Sequence, residues 1–281
     1  MENDEQKFIL NFTPTGMIPT KEMTPHVPIQ PQEIIEQVLE AVELGANMAH
    51  IHARNNQSGS PAYEKEIYAE IIHGIRKKHK DLVICVSTSG RFFSDFEHRS
   101  ECLDLAGELK PDFGSLTLSS LNFNKQASVN SPEMIQALAG KMLDRGIRPE
   151  LEVFDLGMIN YAHYLIKKGL LKPPYCFTLI LGNVACAQAN PLNLGLMINE
   201  LPDNSVWWTG GIGDSQLKMN AMSLISGGGV RIGLEDNIYY DSDRTRLATN
   251  LELLVRILKI AKELNRTPYS TKDARKVLGL I

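Results

Sequence analysis

The chain has 281 residues, 43% of them hydrophobic and 22% charged, a composition that excludes disorder and fibrous repeats. Lys and Arg total 29 against 33 Asp and Glu, a formal charge of -4, which removes any global electrostatic case for nucleic-acid binding. The longest apolar runs, such as Phe177 to Leu181, fall far short of the ~20 residues a membrane span needs. The four cysteines, Cys85, Cys102, Cys176 and Cys186, include no CxxC pair, so buried thiols rather than disulfides are expected. The start, Met1 to Lys7, is polar and partly acidic, unlike a secretory or transit peptide, and a cytoplasmic location is the expectation.

Short apolar runs alternate with helical patterns along the chain. Strands are expected at Phe8–Phe12, Met48–His52, Leu82–Ser87, Phe113–Leu118, Glu150–Val153, Cys176–Leu181, Val206–Trp208 and Gly229–Gly233. A helix begins at Pro31, sets Ile34, Ile35, Val38, Leu39 and Val42 on one face, and ends at Gly45. Tyr63–Lys80 repeats the pattern with Ile67, Ile71, Ile72 and Ile75, and its lysines suit the C-terminal end of the dipole. Further helices are expected at Pro132–Leu143, Tyr161–Lys168, Leu217–Ile225 and Asn250–Leu264. Eight strand-then-helix units without a flexible linker predict one (β/α)8 barrel over residues 1–281, a fold that typically takes ~250 residues. The rival, an open doubly wound sheet, lacks its glycine fingerprint, since Asn11 to Thr20 holds Gly16 alone.

Barrel active sites lie at the C-terminal strand ends, and residues two apart on a strand share a face. His50 and His52 therefore point the same way, as do Arg231 and Glu235 at the other end of the chain. The second and eighth strands both flank the first in a closed barrel, so His50, His52 and Glu235 can meet as a metal site of two imidazoles and one carboxylate, with zinc favoured. An HxH pair also fits hydrogen-bonded rim histidines. His26, His73, His79, His98 and His163 read as surface or packing residues. Glu150, Glu152, Ser87, Ser115 and Thr117 share the inward parity, and Arg231 with Asp236 forms either a rim salt bridge or a working pair. The glycine clusters Thr209 to Gly213 and Ser226 to Gly229 suit either tight turns or anion binding.

The phrases Ala49-His50-Ile51-His52-Ala53-Arg54, Val86-Ser87-Thr88-Ser89-Gly90, Pro149-Glu150-Leu151-Glu152-Val153-Phe154 and Arg231-Ile232-Gly233-Leu234-Glu235-Asp236-Asn237 resemble the β-keto acid cleavage enzymes, whose best-known member type is 3-keto-5-aminohexanoate cleavage enzyme. The resemblance runs from Asn11 to the C-terminal helix, with the motifs in order. It implies a zinc-dependent barrel, often a homotetramer, that condenses a β-keto acid with acetyl-CoA and cleaves the product in the retro-Claisen sense to acetoacetate and a new acyl-CoA. By the same resemblance His50, His52 and Glu235 hold zinc, and Ser87, Gly90 and Ser115 hold the substrate's carboxylate and keto group. Arg231 and Asp236 match a charged dyad used in proton handling, and Glu152 matches the central acid, read as the base that forms the enolate of acetyl-CoA.

The chain departs from the amino-substrate members at one place. Thr15 to Thr20 contains no acid, and Ile18 stands where those members would pair an ammonium group. The substrate is therefore expected to be an uncharged or apolar β-keto acid. Two other classes remain open at the level of sequence: a metal-dependent hydrolase or aldolase on the same barrel, and a non-catalytic metal or ligand binder. Assembly is expected to be tetrameric, with slight support from Trp207, Trp208 and an apolar loop at Pro191 to Met197.

Overall fold

The computed structural model describes residues 6–281, so most of the polar opening stretch lies outside the described residues. Eight parallel strands close into a barrel: β1 (Leu10–Phe12), β2 (Met48–Ile51), β3 (Val83–Val86), β4 (Phe113–Thr117), β5 (Arg148–Val153), β6 (Tyr175–Leu181), β7 (Ser205–Gly211) and β8 (Gly229–Ile232). Around them run α1 (Pro31–Glu43), α2 (Lys65–Arg76), α3 (Phe96–Ser100), α4 (Pro132–Arg145), α5 (Leu156–Lys167), α6 (Pro191–Asn199), α7 (Ser215–Ile225), α8 (Asn250–Glu263) and α9 (Thr271–Val277). The expected (β/α)8 barrel is the fold. Among the described residues no helix is long and apolar enough to cross a membrane.

The helices form where their faces and ends predict. In α1, Ile34, Ile35 and Val38 are buried against the barrel, and Glu33 reaches back to the Gln30 backbone to complete a capping box. Ser131, Asp155, Asn190, Thr249 and Ser270 each cap the helix that follows with a side-chain oxygen. The Asp155 cap starts α5 five residues before the expected Tyr161, because the apolar face begins at Met158 and Ile159. Pro191 to Met197 forms most of α6 rather than a loop, with Asn190 capping and Pro191 in the first turn.

Two strands also differ from expectation. The first is divided at Ile9: Lys7–Phe8 pairs with Thr267–Pro268, while Leu10 onward pairs with β8 and β2. The seventh continues from Trp208 through Gly211, because Thr209, Gly210 and Gly211 keep pairing with Leu179, Ile180 and Leu181. Glycines there read as a turn, but they are ladder residues.

The barrel interior is layered. Ile9, Met48, Val83, Phe113, Cys176 and Trp208 fill its lower end, and Ala274 and Leu278 close it from beneath, at the end where most of these strands begin. The aliphatic residues of opposite parity pack outward against the helices. With its lower end filled, the barrel opens only at the C-terminal ends of the strands. The register places β1 between its neighbours, Arg231 beside Asn11 and Asn11 beside Met48, so β2 and β8 do face each other across β1.

Asn47 joins three segments at the lower end. Its Oδ1 accepts from the Leu10 amide at 3.0 Å, and its Nδ2 donates to the carbonyls of Phe8 at 3.2 Å and Tyr269 at 3.1 Å. Asn47→Ala should leave these buried groups unpaired and lower the unfolding free energy by about 1–3 kcal/mol. Urea denaturation with an unchanged slope measures it, and an unshifted midpoint would refute this role.

Candidate active site

The site is organised around a buried carboxylate. Glu150, fully buried at the middle of β5, accepts hydrogen bonds through Oε1 from Asn11 Nδ2 at 2.7 Å, Thr178 Oγ1 at 2.6 Å and Trp208 Nε1 at 3.3 Å. Its Oε2 meets His50 Nδ1 at 2.6 Å and the Cys85 thiol at 3.0 Å. Burial alone would raise this carboxyl, but His50 beside it, helped by Arg231 and the thiol, brings it down to about 2. The charge thus stays on Glu150, and His50 Nδ1 keeps the ring proton that points at it.

That proton sets what the other ring nitrogen does. In the neutral ring His50 Nε2 carries the lone pair; it lies 3.2 Å from His52 Nε2, which lies 3.1 Å from Glu235 Oε1. These three donor atoms all fall within 4.8 Å of one another. Burial lowers the His52 pKa, with His50 and Arg231 adding to the effect against Glu235, so this ring is neutral. Among the described residues His52 Nδ1 and Glu235 Oε2 have no hydrogen-bond partner. Two imidazole nitrogens and a carboxylate oxygen converging on one point, one ring oriented by a second carboxylate, form a set that can hold a divalent cation once His50 Nε2 is deprotonated. In the metal-free protein burial works against a charge on His50, yet Glu150 and Glu235 raise its pKa to about 9. A cation at Nε2 would take that proton's place.

Arg231 crosses the mouth from β8. It binds Asp236 Oδ2 through Nε at 2.9 Å and Glu235 Oε1 through Nη2 at 2.7 Å, and its Nη1 lies 3.7 Å from Glu152 Oε1. Among the described residues Nη1 has no hydrogen-bond partner, leaving a donor for an oxygen that gains charge. Burial raises the pKa of Glu152 against the pull of Arg231, and that of Asp236 likewise. Burial acts the same way on Glu235, but Arg231 and the two histidines hold it well below the usual range. Glu152 also accepts from Thr117 Oγ1 at 2.7 Å.

Two glycines make the arrangement possible. A Cβ on Gly16, whose φ is +65°, would sit 2.6 Å from Glu235 Cγ, and one on Gly210 would sit 3.0 Å from Arg231 Cδ. Gly210 therefore gives room to the Arg231 stem rather than forming the anion-binding turn its glycine cluster suggests. Arg54, buried, donates to the carbonyls of Gly16 and Pro19 and fixes the loop after β1 over the site.

These groups line one cavity of about 410 Å³. His50, His52, Glu235, Arg231, Asp236, Glu152, Ser87 and Ile18 all reach it, and Met17, Leu121, Phe123, Phe154 and Ile180 supply apolar wall. Gly90 and Ser115 stand behind the wall. Ser115 Oγ accepts from the Thr88 amide at 3.1 Å and its carbonyl from Thr88 Oγ1 at 2.5 Å, so it positions the loop that bears Ser87. Gly90 lets the chain pass the Val129 carbonyl, which a Cβ would approach to 2.4 Å. His98 packs on Tyr63 and pairs with Asp95, His79 pairs with Glu43, and His163 bonds the Glu200 carbonyl, all away from the cavity. Parity alone flags Asn11 and Thr178 as inward residues, but only the three-dimensional register reveals Glu150 as their common acceptor.

A closed barrel that gathers two imidazoles, three carboxyl groups and a guanidinium with an open donor edge at its mouth suits chemistry on an anionic or carbonyl-bearing molecule. Comparison with known proteins specifies the class. The sequence profile of the beta-keto acid cleavage enzyme matches residues 7–280. The chain is 34% identical over 277 residues to 3-keto-5-aminohexanoate cleavage enzyme of Fusobacterium nucleatum, covering 98% of both. It is 32% identical to 3-oxoadipate:acetyl-CoA acetyltransferase of Cupriavidus necator, covering 98% of this chain and 95% of that one. The solved structure of ObcA superposes with a TM-score of 0.80 at 20% identity, over 91% of this chain and 66% of its own, a likeness of fold. The chain belongs to the β-keto acid cleavage enzyme family, and it is an acyltransferase-type enzyme that breaks carbon–carbon bonds.

The donor geometry predicts one transition metal per chain, lost when both histidines are replaced by Ala. Stoichiometric metal in that double variant, by elemental analysis, would refute the ligand set. Glu150→Gln should weaken metal retention about 10–100-fold by releasing the His50 ring. Metal affinity should also fall as pH drops below about 9, where a proton on His50 competes for Nε2. Chelator competition across pH reads both, and a flat profile would contradict the second.

Proposed function

We propose that the chain condenses a β-keto acid with acetyl-CoA and cleaves the adduct to acetoacetate and a new acyl-CoA. The observation that carries this reading is the meeting of His50, His52, Glu235, Arg231, Asp236 and Glu152 in one cavity of a chain from this family. We assign zinc to His50, His52 and Glu235, since two imidazoles and a carboxylate suit it; when bound it would act as a Lewis acid on the substrate's keto oxygen.

The products determine which bonds form. For acetoacetate to leave, carbon 2 of the β-keto acid must join the acetyl carbonyl carbon as coenzyme A departs as its thiolate. The proton is therefore taken from carbon 2 of the keto acid, not from the acetyl methyl as the sequence reading had it. The thiolate then attacks the original keto carbon, the bond from that carbon to carbon 2 breaks, and a returned proton completes acetoacetate. Glu152 is the base in this scheme. Its raised proton affinity suits abstraction from carbon, and it is held less tightly than Asp236, which Arg231 grips through Nε. Asp236 fixes the guanidinium, Arg231 Nη1 meets the enolate or alkoxide oxygen, and the Ser87 hydroxyl faces the substrate carboxylate. Excess burial without a matching cation keeps Glu152 poised to receive a proton.

We also propose a cytoplasmic homotetramer built from single-barrel subunits. The cysteines are unpaired, which suits a reducing compartment. Leu192 and Leu196 on α6, with Val184 before it, are exposed and offer apolar surface for assembly. Trp208 does not contribute to that surface: it is fully buried inside the barrel, on Glu150.

A panel of β-keto acids should release acetoacetate only when acetyl-CoA is present, and turnover without the thioester would move the reading to a hydrolase or aldolase. Glu152→Gln should lower kcat about 10²–10⁴-fold. In the wild type, kcat should fall toward low pH with a midpoint above that of an ordinary glutamate, because the base works only when deprotonated and its proton affinity is raised. Ile18, about 40% exposed on the cavity wall, offers an ammonium no partner. Ile18→Glu should shift kcat/KM from 3-ketohexanoate toward 3-keto-5-aminohexanoate; a wild type already favouring the amino acid would refute this role. Light scattering at micromolar concentration checks the assembly, and a monomer would overturn it.

A further inference from the structure

The mechanism leaves one cationic group inside the cavity unused. Arg91, on the loop after β3, lies with its guanidinium carbon 3.4 Å from the centre of the Phe123 ring. Phe123 in turn stands edge-on to Phe154, with ring centres 5.9 Å apart. The guanidinium plane is thus fixed on an aromatic face while its N–H edge stays available, and among the described residues that edge makes no hydrogen bond or ion pair. Its loop is tied down as well: the Arg91 amide donates to Ser89 Oγ at 3.3 Å, and the Gln126 side chain donates to the Arg91 carbonyl at 3.5 Å.

The carboxylates that line the cavity are already taken. Glu152, Glu235 and Asp236 all face Arg231, and none pairs with Arg91, although all three act on it electrostatically. Arg91 therefore sits in the reaction chamber rather than on the outer rim, and burial penalises its charge with no fixed partner to offset the cost. Resting on this family reading, we propose that Arg91 binds a second carboxylate at the far end of the β-keto acid, so that the preferred substrate is dicarboxylic. The reaction-end carboxylate meets Ser87 beside the metal ligands. Arg91 is four residues further along the loop, stacked on Phe123 of the Leu121–Ser128 hairpin, and Leu121, Phe123 and Phe154 line the same cavity to cover a methylene chain. The phosphates of coenzyme A lie at the end of a long pantetheine arm, away from the thioester, and Lys125 at the exposed hairpin tip is the better placed cation for them. The uncharged far end expected from the missing acid at Ile18 becomes an anionic one, and Arg91 repels an ammonium further.

The test compares 3-oxoadipate with 3-ketohexanoate at saturating acetyl-CoA, together with calorimetric binding of the unreactive pair adipate and hexanoate. The wild type should favour the dicarboxylate in both assays. Arg91→Ala should lower kcat/KM for 3-oxoadipate and the affinity for adipate by roughly tenfold to a hundredfold, with the monocarboxylates little changed. Arg91→Lys should recover part of the loss, and retained turnover of 3-ketohexanoate shows that the variant is folded. Equal losses for both acids would assign Arg91 to the reaction-end carboxylate, and a raised KM for acetyl-CoA would assign it to coenzyme A; either overturns the proposal. A wild type that binds adipate no better than hexanoate overturns it too. Failure of every β-keto acid to react would instead defeat the family reading, while the adipate measurement would still decide the role of Arg91.

Discussion

The ionised carboxylate of Glu150 is the constraint on which the centre of this barrel depends. A charge at zero exposure is tolerated only where donors surround it, and here they come from five other strands: Asn11 on β1, His50 on β2, Cys85 on β3, Thr178 on β6 and Trp208 on β7. Removing the charge would strand several polar groups in an apolar interior, and removing any single donor would leave the charge less compensated. The layer therefore specifies the interior as tightly as a hydrophobic core, and it does something a hydrophobic core cannot. It keeps a proton on His50 Nδ1 and turns Nε2 upward toward the mouth.

From that layer upward, each group is positioned by the one below it. Glu150 orients His50; His50 Nε2, His52 and Glu235 meet as the possible metal-binding group; Glu235 holds Arg231; and Arg231 lies beside Glu152. Arg231 faces three acids at once, bonding Glu235 and Asp236 at 2.7 and 2.9 Å while Glu152 sits 3.7 Å away. Burial raises the proton affinity of both Glu152 and Asp236, whereas Glu235, which faces the two histidines as well, is held low. Chemically similar side chains thus differ in proton affinity according to the groups that face each.

Much of this was legible in the sequence because strand parity is a rigid rule. His50 and His52 are two apart across the end of β2, and closure of the barrel brings them to β8; Glu235 lies three residues past Ile232, so parity gave its side but the turn after β8 gives its place. Parity fails where a residue's role depends on its partner. Ser115 has the inward parity expected of a substrate contact, yet its hydroxyl is spent on the Thr88 amide. Trp208 reads as surface for assembly, but at that register it is the lower wall of the Glu150 layer. Glycine-rich Thr209 to Gly211 resembles a turn because pattern cannot distinguish a flexible glycine from one emptied to admit the Arg231 side chain.

The residues hardest to foresee lie on loops, and there the physical reason is different. Nothing in the local pattern links Arg91 to Phe123; the contact exists because the loop after β3 and the hairpin after β4 fold over the same opening. Ile18 likewise owes its place to Arg54, which reaches across from the end of β2 to hold the carbonyls of Gly16 and Pro19. The strands must keep their charges in register to keep the barrel folded, so the reacting groups have little freedom to vary. Ser87, Glu235 and Asp236 stand just beyond their strand ends, whereas Ile18 and Arg91 stand further along their loops, where a change of one side chain leaves the carboxylate layer beneath undisturbed. The polar layer thus belongs to the barrel that Glu150 holds together, and part of the cavity wall belongs to side chains that the barrel does not need.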